Sequence, residues 1–80
     1  MENNEIFNEV KEIFARIIDD KLEVFPSTAS RDVKKWDSLN HVMLIAGIEN
    51  KFGIQFDLID MLEMRTISDI CKGVEAQLKN

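Results

Sequence analysis

Trp36-Asp37-Ser38-Leu39-Asn40-His41-Val42-Met43-Leu44-Ile45 is the stretch that decides the reading of this chain. It reads loop first and helix second, as polar, cap-forming residues give way to an apolar run. Ser38 therefore stands at the mouth of a helix, where the first backbone N–H groups have no intrahelical partner. Those orphan donors and the helix macrodipole both favour a negative charge, so a phosphate joined to the Ser38 hydroxyl suits the position. On local grounds alone Ser38 reads as a helix cap. The third residue on is His41 rather than Glu or Gln, so no capping box is expected there.

Working outward, the helix that Ser38 opens is expected to run to Phe52, burying Leu39, Val42, Ile45, Ala46, Ile48 and Phe52. Gly53 ends it, because glycine tolerates the left-handed conformation at the position after the cap, and Ile54 is expected to fold back onto Ile48. Upstream lies a long loop, Glu23 to Trp36, broken by Pro26, Ser27, Thr28 and Ser30. Its length exceeds the usual helix–helix connection, which marks it as functional or as carrying a short turn of its own. Val24, Phe25, Val33 and Trp36 are its expected anchors. Ahead of the loop, Ile6, Val10, Ile13, Phe14, Ile17 and Ile18 recur at helical spacing. They predict a first helix from Asn4 to about Asp20, bordered by Phe7 and capped by Asn3 or Asn4. Downstream, Leu58, Ile59, Met61 and Leu62 mark a short third segment, Asp57 to about Met64. The last helix opens at Thr66, which pairs with Asp69 like a capping box, and continues through Ile67, Ile70, Cys71, Val74 and Leu78. The expected fold is an all-α four-helix bundle with a long first loop and a short third helix, one domain over residues 1–80.

A chain of 80 residues is small. It buries only about 60% of the surface its unfolded form exposes, which leaves little room for a deep catalytic cavity. A binding or carrier module is favoured over a free-standing enzyme. The net charge of −5 and pI of about 4.7 argue against nucleic acid, whose backbone needs a basic stripe. No apolar run of about 18 residues offers membrane insertion. Met1-Glu2-Asn3-Asn4-Glu5 lacks the basic start of a signal peptide, and a single cysteine makes no internal disulfide. A cytoplasmic monomer is the expectation. One histidine supports neither a catalytic triad nor a metal site. His41 is expected on the polar surface, and Cys71 as a buried, inert thiol on the last helix's apolar stripe.

The long loop, Asp37-Ser38-Leu39, the helix ending Phe52-Gly53-Ile54 and the short third helix occur in the order found in acyl carrier proteins. The chain resembles that family over residues 4 to 79, and Trp36-Asp37-Ser38-Leu39 resembles the stand-alone carriers of polyketide, nonribosomal-peptide or sugar-modification pathways. The resemblance implies a non-catalytic carrier. A phosphopantetheinyl transferase, with Mg²⁺ and its own base, would move 4′-phosphopantetheine from coenzyme A to Ser38. The arm's thiol would then hold an acyl group as a thioester and present it to partner enzymes. Those partners would be an acyl- or aminoacyl-loading ligase and a downstream transferase or synthase. It further implies that Asp37 and Leu39 belong to the surface the transferase reads. An aminoacyl or peptidyl carrier is the second reading. A small helical adaptor without a prosthetic group is the reading from a different class.

One departure from the fatty-acid carriers is informative. Those carriers follow Asp-Ser-Leu with several acids on the second helix, whereas here Asn40 to Gly47 contains none and Glu49 is the first. Residues 24–56 carry a net +1, against −4 for residues 1–23 and −2 for residues 57–80. Arg31, Lys34 and Lys35 stand just ahead of the serine, so electrostatic steering toward a basic enzyme from this face is weak. Partner recognition is therefore assigned to Asn40, Met43 and Leu44 beside Asp37 and Leu39. With Val42, Ile45 and Ala46 read as inward, at least one of Met43 and Leu44 is expected to face outward. A specialised pathway fits this surface better than bulk fatty-acid synthesis.

Overall fold

The computed structural model describes residues 3–79. Helix α1 spans Asn3–Ile17, α2 Ser38–Phe52, α3 Leu58–Glu63 and α4 Ile67–Lys79, with a single 3-10 turn, Ser30–Asp32, in the long loop. The protein is all-helical, as the periodicity predicted. On α1, Ile6, Val10, Ile13 and Phe14 are buried, and Ile18 continues their stripe past the helix end. The helix stops three residues before Asp20, with the amides of Ile18 and Asp19 both on the Phe14 carbonyl at 2.7 and 3.3 Å. The Asp19 carboxylate then accepts from the Lys21 amide at 3.0 Å, a local bond that competes with further helix. Asn3 and Asn4 both have helical backbone, so neither caps α1.

Helix α2 has the predicted bounds. Gly53 closes it at φ 66°, a left-handed conformation that suits glycine. The Gly53 amide and the Ile54 amide, the latter at 3.1 Å, both return to the Glu49 carbonyl. Its buried face differs from the expected one. Leu44, Ile45 and Ile48 are buried with Phe52 half-buried, whereas Leu39, Val42 and Ala46 are exposed. Leu44 is fully buried, so it packs in the core and is no partner contact. The cause is a helix apolar on two faces: Leu39, Val42 and Ala46 follow helical spacing as well as Leu44, Ile45, Ile48 and Phe52 do. Packing against α1 selects the second set. Gly47 lets the two helices approach, since a Cβ there would meet Ile17 at 3.1 Å and Ile13 at 3.2 Å.

The long loop is tied down by backbone bonds. Ala29 and Thr66 form an isolated antiparallel bridge, with the Ser30 amide on the Arg65 carbonyl at 2.8 Å and the Ile67 amide on the Thr28 carbonyl at 3.0 Å. Val24, Val33 and Trp36 are buried anchors. Phe25 is not an anchor and stays 56% exposed. It begins a tight turn, donating its amide to Thr28 Oγ1 and accepting from the Thr28 amide, which leaves its ring outside.

Thr66 and Asp69 form the reciprocal capping box of α4: the Asp69 amide donates to Thr66 Oγ1 at 3.0 Å and the Thr66 amide to Asp69 Oδ2 at 3.2 Å. Ile67, Ile70 and Val74 carry its buried stripe. Helix α1 packs against both α4 and α2 and forms the spine of the core. Helix α3 contributes no fully buried side chain. No helix among the described residues is long and apolar enough to cross a membrane.

Candidate functional site

Asp37 sets the geometry of the serine turn. Its backbone is extended (φ −91°, ψ −177°), its Oδ1 accepts from the Asn40 amide at 2.8 Å and its carbonyl accepts from the His41 amide at 2.8 Å. Asp37 is therefore the cap of α2, and Ser38 is the first helical residue rather than the cap. This frees the serine. Its side chain is exposed, its hydroxyl has no hydrogen-bond partner among the described residues, and neither do the amides of Ser38 and Leu39.

Trp36 fixes the approach to this turn from below. It is 3% exposed and meets Phe14 edge-on, with ring centroids 5.2 Å apart and planes at 80°. Asn40 holds the loop from the helix side, its Nδ2 donating to the Lys35 carbonyl at 2.7 Å. The Asn40 side chain is thus engaged within the chain and half-buried. His41 is not a plain surface residue. Half-buried, its Nδ1 accepts from Trp36 Nε1 at 2.9 Å, and its Nε2 lies 2.8 Å from the Met61 carbonyl. The indole can only donate, so the imidazole proton sits on Nε2 and is donated to Met61. The sequence carried a signal for this that polarity masked: residues 41, 44, 45 and 48 lie on one helical stripe.

Beside Ser38 lies an open cleft of about 650 Å³, walled by Trp36, His41, Val42, Leu62 and Met64, with Arg31 and Arg65 also on its lining. Around it the surface is apolar: Leu39 is 71% exposed, Ile59 68% and Leu58 67%, with Val42, Met43 and Leu62 each at least half exposed. The exposed members Leu39 and Met43 of the expected recognition set belong to this surface; Leu44 does not. Such a patch, spanning α2 and α3, has the chemistry of an interaction surface.

The donor set fits a phosphate ester. A free hydroxyl, two unpartnered amides at a helix start and two arginines on the adjoining cleft suit a phosphodiester on Ser38, and the cleft leaves the hydroxyl approachable. Among the described residues no group of three or more His, Cys, Asp and Glu could hold a metal ion. Cys71 is half-buried at the edge of the α4 stripe, away from this cleft, and burial pushes its thiol up to about 11.

Comparison with known proteins follows the same lines. The family described as the phosphopantetheine attachment site matches residues 8–74. The chain is 34% identical to an acyl carrier protein of Thermotoga maritima, over 92% of this chain and 93% of that protein. It is 29% identical to acyl carrier protein 3 of Ralstonia nicotianae, over 98% of this chain and 91% of that one.

Proposed function

The chain belongs to the acyl carrier protein family, and from that membership we propose that Ser38 is the hydroxyl that bears its 4′-phosphopantetheine arm. As a member it is a non-catalytic carrier, modified by a phosphopantetheinyl transferase and serving acyl-handling enzymes. The arm supplies a terminal thiol that holds the acyl group as a thioester. The observation that carries the assignment is the Ser38 hydroxyl itself, exposed and unpartnered at the first residue of α2 beside an open cleft.

In the attachment step Ser38 Oγ forms the new P–O bond and the pyrophosphate of coenzyme A breaks. Adenosine bisphosphate leaves, and the hydroxyl proton passes to a base of the transferase. His41 offers no base to Ser38, since both its ring nitrogens are engaged with Trp36 and Met61. Asp37 holds the turn open, the amides of Ser38 and Leu39 face the new anion, and Leu39 and Met43 offer the apolar surface on which a transferase docks.

We assign the carrier to a specialised pathway in the cytoplasm, acting as a monomer with a dedicated acyl-loading ligase and a downstream transferase or synthase. Support comes from the absence of acids on α2 before Glu49 and the apolar face that takes their place. The test is intact mass after incubation with a promiscuous phosphopantetheinyl transferase, Mg²⁺ and coenzyme A. Wild type gains one arm and Ser38→Ala gains none, while alanine at Ser27, Thr28, Ser30 or Ser68 leaves the gain intact. An arm on another serine, or a folded wild type that accepts none, returns the chain to the adaptor reading.

A further inference from the structure

Helix α3 is six residues long, buries no side chain fully and turns Leu58, Ile59 and Leu62 to solvent. A helix this short with so little burial has weak intrinsic hold on its position. Yet it forms half of the apolar face and one wall of the cleft beside Ser38. Among the described residues one hydrogen bond joins α3 to another element: the donation from His41 Nε2 to the Met61 carbonyl at 2.8 Å. That carbonyl lies in the last turn of α3, where it also accepts from the Met64 amide at 3.3 Å, so His41 reaches the bond that closes the helix. On its other nitrogen the same ring receives the Trp36 indole, and Trp36 is buried against Phe14 of α1.

We infer that His41 is a positioning residue: its imidazole joins the buried Trp36 to the end of α3, so that α3 and the Ser38 turn are held in one register. The proposal rests on Ser38 being the attachment point only in its consequence. The face that a transferase or loading enzyme grips spans α2 and α3, and His41 sets the offset between its halves. The ring is suited to the task because it accepts on one side and donates on the other, spanning two elements with a rigid plane.

Three substitutions separate the two bonds. His41→Asn keeps an acceptor near the Nδ1 position and loses the reach to Met61. His41→Gln brings an amide donor near the Nε2 position. His41→Phe keeps a ring and removes both bonds. In the unprimed protein, solvent exchange of the Met61 and Met64 amides is expected to rise roughly three- to ten-fold in His41→Asn and His41→Phe. In His41→Gln it is expected to return to within about two-fold of wild type, and amides inside α1 and α4 are expected to hold in all three. Priming kinetics should follow: KM for the carrier rises in His41→Asn and His41→Phe while kcat holds, and His41→Gln restores KM. Unchanged α3 exchange in His41→Phe overturns the inference, as does a uniform rise across all helices that His41→Gln fails to rescue. If the exchange pattern appears but wild type accepts no arm, the positioning role stands and the Ser38 assignment falls.

Discussion

At Asp37 one carboxylate sits where structure and recognition meet. Its Oδ1 accepts the Asn40 amide and starts α2, while its charge lies beside the serine we propose as the attachment point. Two substitutions separate these roles. Asp37→Asn keeps a good cap and loses the charge; Asp37→Ala loses both and costs about 0.5–2 kcal/mol of stability. We expect priming to slow several-fold in both variants and the denaturation midpoint to fall only in Asp37→Ala. Equal priming by Asp37→Asn and wild type would assign Asp37 to structure alone. Cys71 gives a second residue-scale expectation. Burial raises its thiol from an ordinary 9.0 to about 11, so the folded chain keeps its proton where the unfolded chain has lost it. Its contribution to stability is fully present below pH 9 and is lost as pH rises toward 11. The unfolding midpoint of wild type should therefore fall more steeply over that window than that of Cys71→Ala. Thiol labelling of the native protein should be slow and accelerate on adding denaturant.

Among the elements, α2 shows what the sequence made legible and what it hid. Both ends could be read: Asp37-Ser38 and Gly53 are chemical signals that act within a few residues, and the helix starts and stops where they say. Its rotation could not be read, because apolar residues cover two faces and only the partner helix decides between them. Thus Leu44 went to the core and Leu39 and Val42 to the surface, against the expectation. His41 was hidden for a related reason. Its polarity suggested solvent, and of its two partners Trp36 is a loop residue close in sequence while the Met61 carbonyl lies twenty residues on, in α3. The Thr66–Asp69 box, by contrast, was visible because both halves lie within one turn. The stop at Gly53 carries its own expectation. At φ 66° a Cβ is strained even though nothing crowds it, so Gly53→Ala should lower stability by about 1 kcal/mol. Gly53→Asn should cost less, as asparagine tolerates this conformation better. Chemical denaturation of the two variants measures the difference.

For the whole molecule, a Cα radius of gyration of 11.3 Å is close to the roughly 12 Å of a compact chain this long. Its charge is unevenly spread: the acids concentrate in the first and last thirds, and the serine face is apolar. Affinity for the proposed loading enzyme should therefore change little, less than about three-fold, between low and moderate salt. Glutamate at Met43 or Ile59, both exposed, should weaken loading about ten-fold or more without unfolding the chain. Calorimetric titration across salt and a loading assay on the two variants check this; a steep salt dependence would point to Lys34, Lys35 or the acids of α3 instead. The bridge between Ala29 and Thr66 has a consequence for engineering. The segment from the 3-10 turn through α3 begins and ends at this backbone pairing, and between its ends α2 packs against α1. Residues 30–65 are thus a cassette whose two ends lie side by side. Exchanged between related carriers at that seam, with the inward trio Leu44, Ile45 and Ile48 travelling along to fill the host's core, it would carry one carrier's partner preference onto another's scaffold.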